Sequence, residues 1–284
     1  MKKEITEKAY LTRYKRELYS IGYVKNTVCT KIRCLINFRA FTKKEFCLIT
    51  EKDLFVFIRH LQKKGLHSST IQHYYTSIVQ FFVFLERELI ITRNPCNFYD
   101  LQLIKQPKKP RNTISQQEVK QLYKLAKKRK ETMVLHLAYG CGLRAKELER
   151  INVAHVLLPQ KIIKVVKGKN NQHRIVPIPL TMLLDFTTYL HYRASLKVAT
   201  NALLVNCRGN RLKAYSARVV LQDIIKRSAI TKHITLHSLR HSIATHLLQN
   251  GMPTEQVQLF LGHKQLETTE IYTRVSSQQL KQLL

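Results

Sequence analysis

The sequence predicts a mainly helical, two-domain protein carrying one small antiparallel β-sheet. Three observations predict it. Apolar residues over 1–100 recur at spacings of three and four, the helical period. A short stretch at 104–112 combines two prolines with four basic residues. In the second half, two β-branched runs, KIIKVVK at 161–167 and QHRIVPI at 172–178, flank the turn-rich Gly168-Lys169-Asn170-Asn171, so they read as a hairpin with Lys169 at its tip. The 284 residues suit two domains at roughly 100–200 residues each. The expected boundaries are a helical bundle at 1–103, a linker at 104–112 and a mixed α/β domain at 113–284.

Each element has a local cause. Leu11, Tyr14, Leu18 and Ile21 form the stripe of a first helix that Gly22 stops. Val28, Ile32, Leu35, Ile36 and Phe38 mark a second. Thr50-Glu51-Lys52-Asp53 reads as a capping box opening a third helix through Leu54, Phe57, Ile58 and Leu61 to Gly65. Ser68 or Ser69 caps a fourth through Ile71, Tyr74, Ile78, Phe81 and Leu85. Lys25, Lys31, Arg33, Arg39, Lys43, Lys44, Lys63 and Lys64 are assigned to the polar faces of this bundle.

Proline cannot continue a helix and charge keeps a segment hydrated, which makes 104–112 the linker. Ser115 to Glu118 is a second capping box, starting a helix to about Lys130. An apolar helix from Met133 to Tyr139 runs into Gly140-Cys141-Gly142, where two glycines permit a sharp turn before a new helix at about Arg144. Glu147 lies one turn on, placed to buttress an arginine or cap the helix. After the hairpin come a helix over 181–193, a short strand at 203–205 and a helix over 215–227. A helix through Leu239, Ile243, Leu247 and Leu248 closes at Gly251 and Pro253; the next, Thr254 to Leu261, ends in Gly262-His263. The final VSSQQLKQLL reads as a short amphipathic tail helix.

Composition restricts function. With 44% hydrophobic residues the chain can bury cores, which argues against wholesale disorder. Its 49 basic and 18 acidic residues give a formal charge of +31, too large an excess for an ordinary small-molecule enzyme and suited to a polyanion, DNA or RNA. Residues 1–100 carry 18 basic and 9 acidic side chains and residues 101–284 carry 31 and 9, so both halves are expected to touch it. Lys43, Lys44, Lys108, Lys109 and Arg111 are the chosen phosphate contacts. Six cysteines, none in a C-x-x-C pair, suggest neither a zinc ribbon nor a redox motif and fit a reducing cytoplasm. No signal peptide is visible. The most apolar run, Ile78 to Leu85, is far shorter than the ~18–20 residues of a membrane span.

The chemistry concentrates near the C-terminus. His237 and Arg240 sit three apart on one helix, projecting from one face, with His263 at a helix end and Tyr272 nine residues later. Cations converging on a phenol suit phosphodiester cleavage by a protein nucleophile, where the attacking oxygen must lose a proton and added negative charge must be held. His237 and His241 have a zinc-compatible spacing, but no third ligand is evident, so no metal is expected.

Together, GLRAKEL at 142–148, KGKNNQHRIVPI at 167–178, HSLRHSIATHLLQNG at 237–251, LGH at 261–263 and TEIYTRV at 269–275 resemble, in order, the tyrosine site-specific recombinases, in particular the short Xer-type members. Residues 1–103 resemble, more loosely, that family's core-DNA-binding domain. The resemblance implies the tyrosine-recombinase type of catalytic domain and places Arg144, Lys169, His237, Arg240, His263 and Tyr272 on catalytic positions, with Glu147 in acidic support. Tyr272 would then attack the scissile phosphate to give a 3′-phosphotyrosyl link and a free 5′-hydroxyl, with His237 as candidate base. Arg144 and Arg240 would hold the non-bridging oxygens, His263 would add a donor and Lys169 would protonate the leaving oxygen. Neither metal nor ATP is needed, because arginines supply the charge and the phosphotyrosine keeps the bond energy. The implied partners are double-stranded DNA and a homo-tetramer, or a hetero-tetramer with a related recombinase, on paired sites, gated by the tail helix at 276–284. Two other readings share much of this pattern: a DNA-binding regulator that has lost catalysis, which would form no covalent adduct, and a DNA-relaxing topoisomerase, which would not exchange strands.

Overall fold

A computed structural model describes residues 7–97, 113–166 and 173–262. The chain divides into two compact units, Met1–Lys109 and Pro110–Leu284. It is mostly helical, with a three-stranded antiparallel sheet.

The described residues of the first unit form four α-helices, α1 (Glu7–Ser20), α2 (Lys25–Thr42), α3 (Glu51–Lys63) and α4 (Ser68–Arg87). Their apolar stripes meet in a core that includes Val28, Leu35, Phe38, Leu54, Ile58, Ile78 and Leu85. Phe81 is its centre: the Tyr14 and Phe46 rings approach it edge-on at 5.2 and 4.8 Å. Edge-to-face pairs at this separation add to what area burial alone supplies. Lys31, assigned by sequence to the polar face of α2, is instead buried: its ammonium bonds Gln80 and lies 5.2 Å from the Tyr23 ring centroid. Its position on the helix faces α4, and its long stem lets it pack while the head finds an acceptor.

The second unit is built around α6 (Arg129–Leu135), which continues as a π-helical turn, His136–Gly140, that packs on α10 (Leu236–Gln249). Also present are α5 (Gln116–Leu125), α7 (Ala145–Arg150), α8 (Leu183–Ser195), α9 (Ala214–Lys226) and α11 (Thr254–Leu261). The sheet runs β1 (Val156–Leu157), β2 (Ile162–Val166), β3 (His173–Pro177) in that order. Register pairs Ile163 with Val176 and Val165 with Arg174. Ile163, Val165 and Val176 are buried while Lys164 is exposed, so one face belongs to the core.

Several boundaries differ from expectation. The helix opened by Ser115 ends at Leu125, because the Glu131 carboxylate accepts from the Lys127 and Lys128 amides and starts a separate α6. The stretch at 203–205 forms no named strand; Ala202 and Val205 make only isolated bridges, to Asn152 and Arg211. The two-residue β1 was not anticipated, being too short to leave a pattern. Among the described residues no helix is long and apolar enough to cross a membrane.

At the start of α3, Thr50 accepts from the Asp53 amide while Asp53 accepts from Thr50 N and Oγ1 at 2.9 and 2.7 Å and from Lys44 at 2.7 Å. Burial pushes the Asp53 carboxyl up, but these bonds outweigh it and hold it below the ordinary carboxylate range. A depressed carboxylate stabilises the fold above its unfolded pKa, about 4, and loses that contribution as pH falls through the folded value. Asp53→Asn is therefore expected to cost about 0.5–1 kcal/mol near neutral pH and to match the wild type in strong acid, as urea unfolding at several pH values would record.

Candidate functional site

The site grows from the turn that follows the π-helical segment. Gly142 has φ +57°, the left-handed region where a side chain is strained, and a Cβ there would press on Phe260 at 3.0 Å. A Cβ at Gly140 would overlap the end of the Met182 side chain. The turn delivers Arg144 to the N-cap of α7, and the Glu147 carboxylate accepts from the Arg144 amide at 2.8 Å, closing the first helical turn.

Glu147, 8% exposed, is the hub. Its Oε1 accepts from Arg144 Nη1 at 2.9 Å and from Arg174 Nη1 at 2.8 Å; its Oε2 accepts from Arg174 Nη2 at 3.0 Å. Arg240 Nη1 lies 3.7 Å from Oε2. Arg240 itself is 3% exposed and donates to two backbone carbonyls, Gly142 O through Nη1 and Leu261 O through Nη2. Burial first, then the neighbouring Arg144 and Arg174 charges, pull its guanidinium down to about 9 against the opposing pull of Glu147. That is still above neutral, so the charge is kept. Three guanidinium groups gathered on one carboxylate leave a surplus of positive charge.

His237 stands exposed on α10, one turn before Arg240. The two share a side of α10, but only His237 is exposed: Arg240 turns inward to the two carbonyls. Leu248, expected on the buried stripe, is exposed, while Leu239, Ile243 and Leu247 are buried. Gly262 ends α11 in the left-handed conformation. Lys169, His263 and Tyr272 lie outside the described residues, as do Lys108, Lys109, Arg111 and the tail at 276–284. Lys43 and Lys44 are exposed in the first unit; Lys44 is ion-paired with Asp53 at 2.7 Å. Among the described residues no group of three or more His, Cys, Asp or Glu is arranged to hold a metal ion.

Arg174 is the residue that sequence reasoning passed over. It is 7% exposed, on the core-facing side of β3 next to Val176. The signal was a charged residue two before a buried valine, legible only once Lys164 and the pairing of Val165 with Arg174 fix which face is inward.

Chemically, the arrangement presents an anion site. Of the five N–H donors of a guanidinium, Arg240 commits one on each of Nη1 and Nη2 to carbonyls, so those two bonds use less than half of its donor capacity. The Arg144 side chain is 41% exposed and shares the same carboxylate, so it is open to solvent while anchored. Two arginines held this way suit the forked recognition of phosphate oxygens.

Residues 112–279 match the family described as Phage integrase family. The chain is similar to the tyrosine recombinase XerD of Oceanobacillus iheyensis, at 33% identity over 275 residues and 92% of each chain. It is similar to the crystal structure of XerA recombinase, at 26% identity, a TM-score of 0.52 and coverage of 98% of this chain and 97% of that one. In fold it is also similar to a lambda integrase tetramer bound to a Holliday junction, at 17% identity, a TM-score of 0.74 and coverage of 94% and 81%.

Removing the hub strands its cations. Glu147→Ala leaves the buried Arg174 and Arg240 guanidiniums without their counter-charge, and the second unit is expected to lose about 3–5 kcal/mol of stability. Denaturant unfolding followed by a probe in that unit measures it; a loss under about 1 kcal/mol would contradict the role of Glu147 as the neutralising centre.

Proposed function

The chain belongs to the phage integrase family, and from that premise we propose that its arginine cluster is the phosphate-binding half of a DNA strand-transfer centre whose nucleophile is Tyr272. The protein is a tyrosine recombinase, an enzyme of site-specific DNA recombination that cleaves and rejoins DNA. The observation that carries the site assignment is the burial of Arg240 against Gly142 O and Leu261 O, beside Arg144 on a shared carboxylate. A guanidinium fixed this firmly does not have to reorganise when charge develops on the phosphorane, which is how preorganised donors lower a barrier.

In the proposed reaction the Tyr272 phenolate oxygen bonds to phosphorus and the bond from phosphorus to the 5′-oxygen breaks. The product is a 3′-phosphotyrosyl link and a 5′-hydroxyl, the leaving oxygen taking a proton from Lys169. A phenol has a pKa near 10, so it needs a base, the role given to His237, and nearby cations that favour its anion. Arg144 and Arg240 each hold a non-bridging oxygen and His263 donates a further hydrogen bond. Attack by the 5′-hydroxyl of another strand reverses the step and restores the tyrosine. Because bond energy is conserved, the residues themselves suffice for cleavage and religation.

The substrate is double-stranded DNA in the cytoplasm. The net charge of +31 supports a long phosphate-contacting surface that includes Lys43, Lys44, Lys108, Lys109 and Arg111. The lambda integrase that shares this fold is a tetramer bound to a Holliday junction, which supports a four-subunit assembly here, homomeric or with a related recombinase, gated by the tail at 276–284.

Tyr272→Phe is expected to abolish covalent protein–DNA adducts while changing DNA affinity little. Genomic fragments retained by that variant identify the target, and a suicide oligonucleotide carrying it, run on a denaturing gel, detects the adduct. Adducts formed by Tyr272→Phe would move the nucleophile elsewhere, and a wild type that nicks without joining new partners would favour relaxation over exchange. Binding to the same oligonucleotide should fall by about 10³–10⁵ between 50 and 200 mM salt if roughly 6–10 phosphates are neutralised; a flat response would contradict the charge argument.

A further inference from the structure

We infer that Arg174, on β3, is a positioning residue for the strand-transfer reaction: it orients the Glu147 carboxylate and through it both phosphate-binding arginines. The inference rests on the proposed role of Arg144 and Arg240 and extends it to a residue that touches no substrate.

The geometry is specific. Arg174 meets both oxygens of Glu147 with parallel N–H···O bonds of 2.8 and 3.0 Å, a two-point contact that fixes the plane of the carboxylate. With that plane set, Oε1 is aimed at Arg144 Nη1 and Oε2 at the Arg144 amide, and Oε2 also faces Arg240. A carboxylate held by Arg144 alone would share one side chain's freedom, since Arg144 is on the same turn and partly exposed. Arg174 comes from a different element and is buried, so it supplies the fixed reference.

Arg174 also spans the pieces of the site. A Cβ at Gly262 would overlap Arg174 Cδ and lie 3.0 Å from Nε, so the left-handed end of α11 is packed directly on this side chain, one residue before His263. Two residues before Arg174, β3 gives way to the segment that carries Lys169. One side chain therefore touches both the hub and the end of α11, from a strand that begins four residues after Lys169 in sequence.

Stability alone does not explain an arginine there. Its neighbours on the same face are apolar, Val165 across the ladder and Val176 along the strand. It places a third cation beside Arg144 and Arg240, which would still face the Glu147 carboxylate without it. What an apolar side chain cannot do is hold a carboxylate in one plane.

The test uses single-turnover cleavage of the suicide oligonucleotide at saturating full-length protein, with DNA affinity and thermal unfolding measured alongside. Arg174→Met should cleave on the order of 10–100-fold more slowly, the usual loss for a residue that orients a primary contact, with affinity within about threefold of the wild type. Arg174→Lys, which keeps the charge and aliphatic stem but makes one contact in place of two, should recover part of the rate. In a Glu147→Gln background, Arg174→Met should cost less than it does alone, because its intermediary is already disabled. Cleavage by Arg174→Met at the wild-type rate, or an equal cost in both backgrounds, overturns the inference. If Arg174→Met melts below the assay temperature, Arg174→Lys decides: about tenfold slower cleavage at saturation supports it and the wild-type rate overturns it. A wild type that forms no adduct removes the strand-transfer reading and this inference with it; a cleaving wild type matched by its variants removes this inference alone.

Discussion

One carboxylate surrounded by three guanidinium groups is the constraint on which the second unit's chemistry depends. Like charges within a few ångströms repel, and burial removes the water that would screen them. Without Glu147, Arg144, Arg174 and Arg240 could not be brought together in a site where two of them are almost fully enclosed. With it, the cluster keeps a surplus of positive charge, and an anionic ligand completes the balance. Such a surplus suits a group that gains negative charge, as a phosphodiester does in its transition state.

Much of this was legible in the sequence, for identifiable reasons. Capping boxes at Thr50–Asp53 and Ser115–Glu118 are local, four-residue devices, and both are present with the expected bonds. The bounds of α11 follow from Pro253 and Gly262, whose backbone preferences act without tertiary help. The acid at 147 was legible because Arg144 and Glu147 lie one helical turn apart. Arg174 was not, because its partner is 27 positions away and its inward face is set by strand register, not by its own neighbours in sequence. For the same reason the burial of Arg240 escaped notice: on α10 alone it shares a side with the exposed His237, and only the carbonyls of Gly142 and Leu261 turn it inward.

The differences in secondary structure have a similar origin. Met133 to Tyr139 reads as an apolar helix, yet from His136 to Gly140 the chain widens to a π-helix, and beyond it the Cys141 amide reaches back to His136 O at 2.7 Å and the Leu143 amide to Leu137 O at 2.9 Å. Such turns recur at functional sites because they shift the phase of a helix without breaking it. Here the shift is followed at once by the Gly142 turn that presents Arg144.

Arg240 joins the site to the fold's stability. Its two carbonyl partners belong to segments more than a hundred residues apart, the turn at Gly142 and the end of α11 at Leu261, and Phe260 and Leu261 pack closely over that turn, where a Cβ at 142 would meet them at 3.0 and 3.2 Å. A lysine's three donors radiate from one nitrogen and lack the rigid planar fork with which the guanidinium meets two carbonyls through separate nitrogens. An apolar residue would leave both oxygens buried without a donor, a cost of about 1–3 kcal/mol each. The Arg240 guanidinium is thus the clasp between the turn that carries Arg144 and the end of α11. It cannot tilt without loosening two backbone segments at once, so its remaining N–H groups keep a fixed direction.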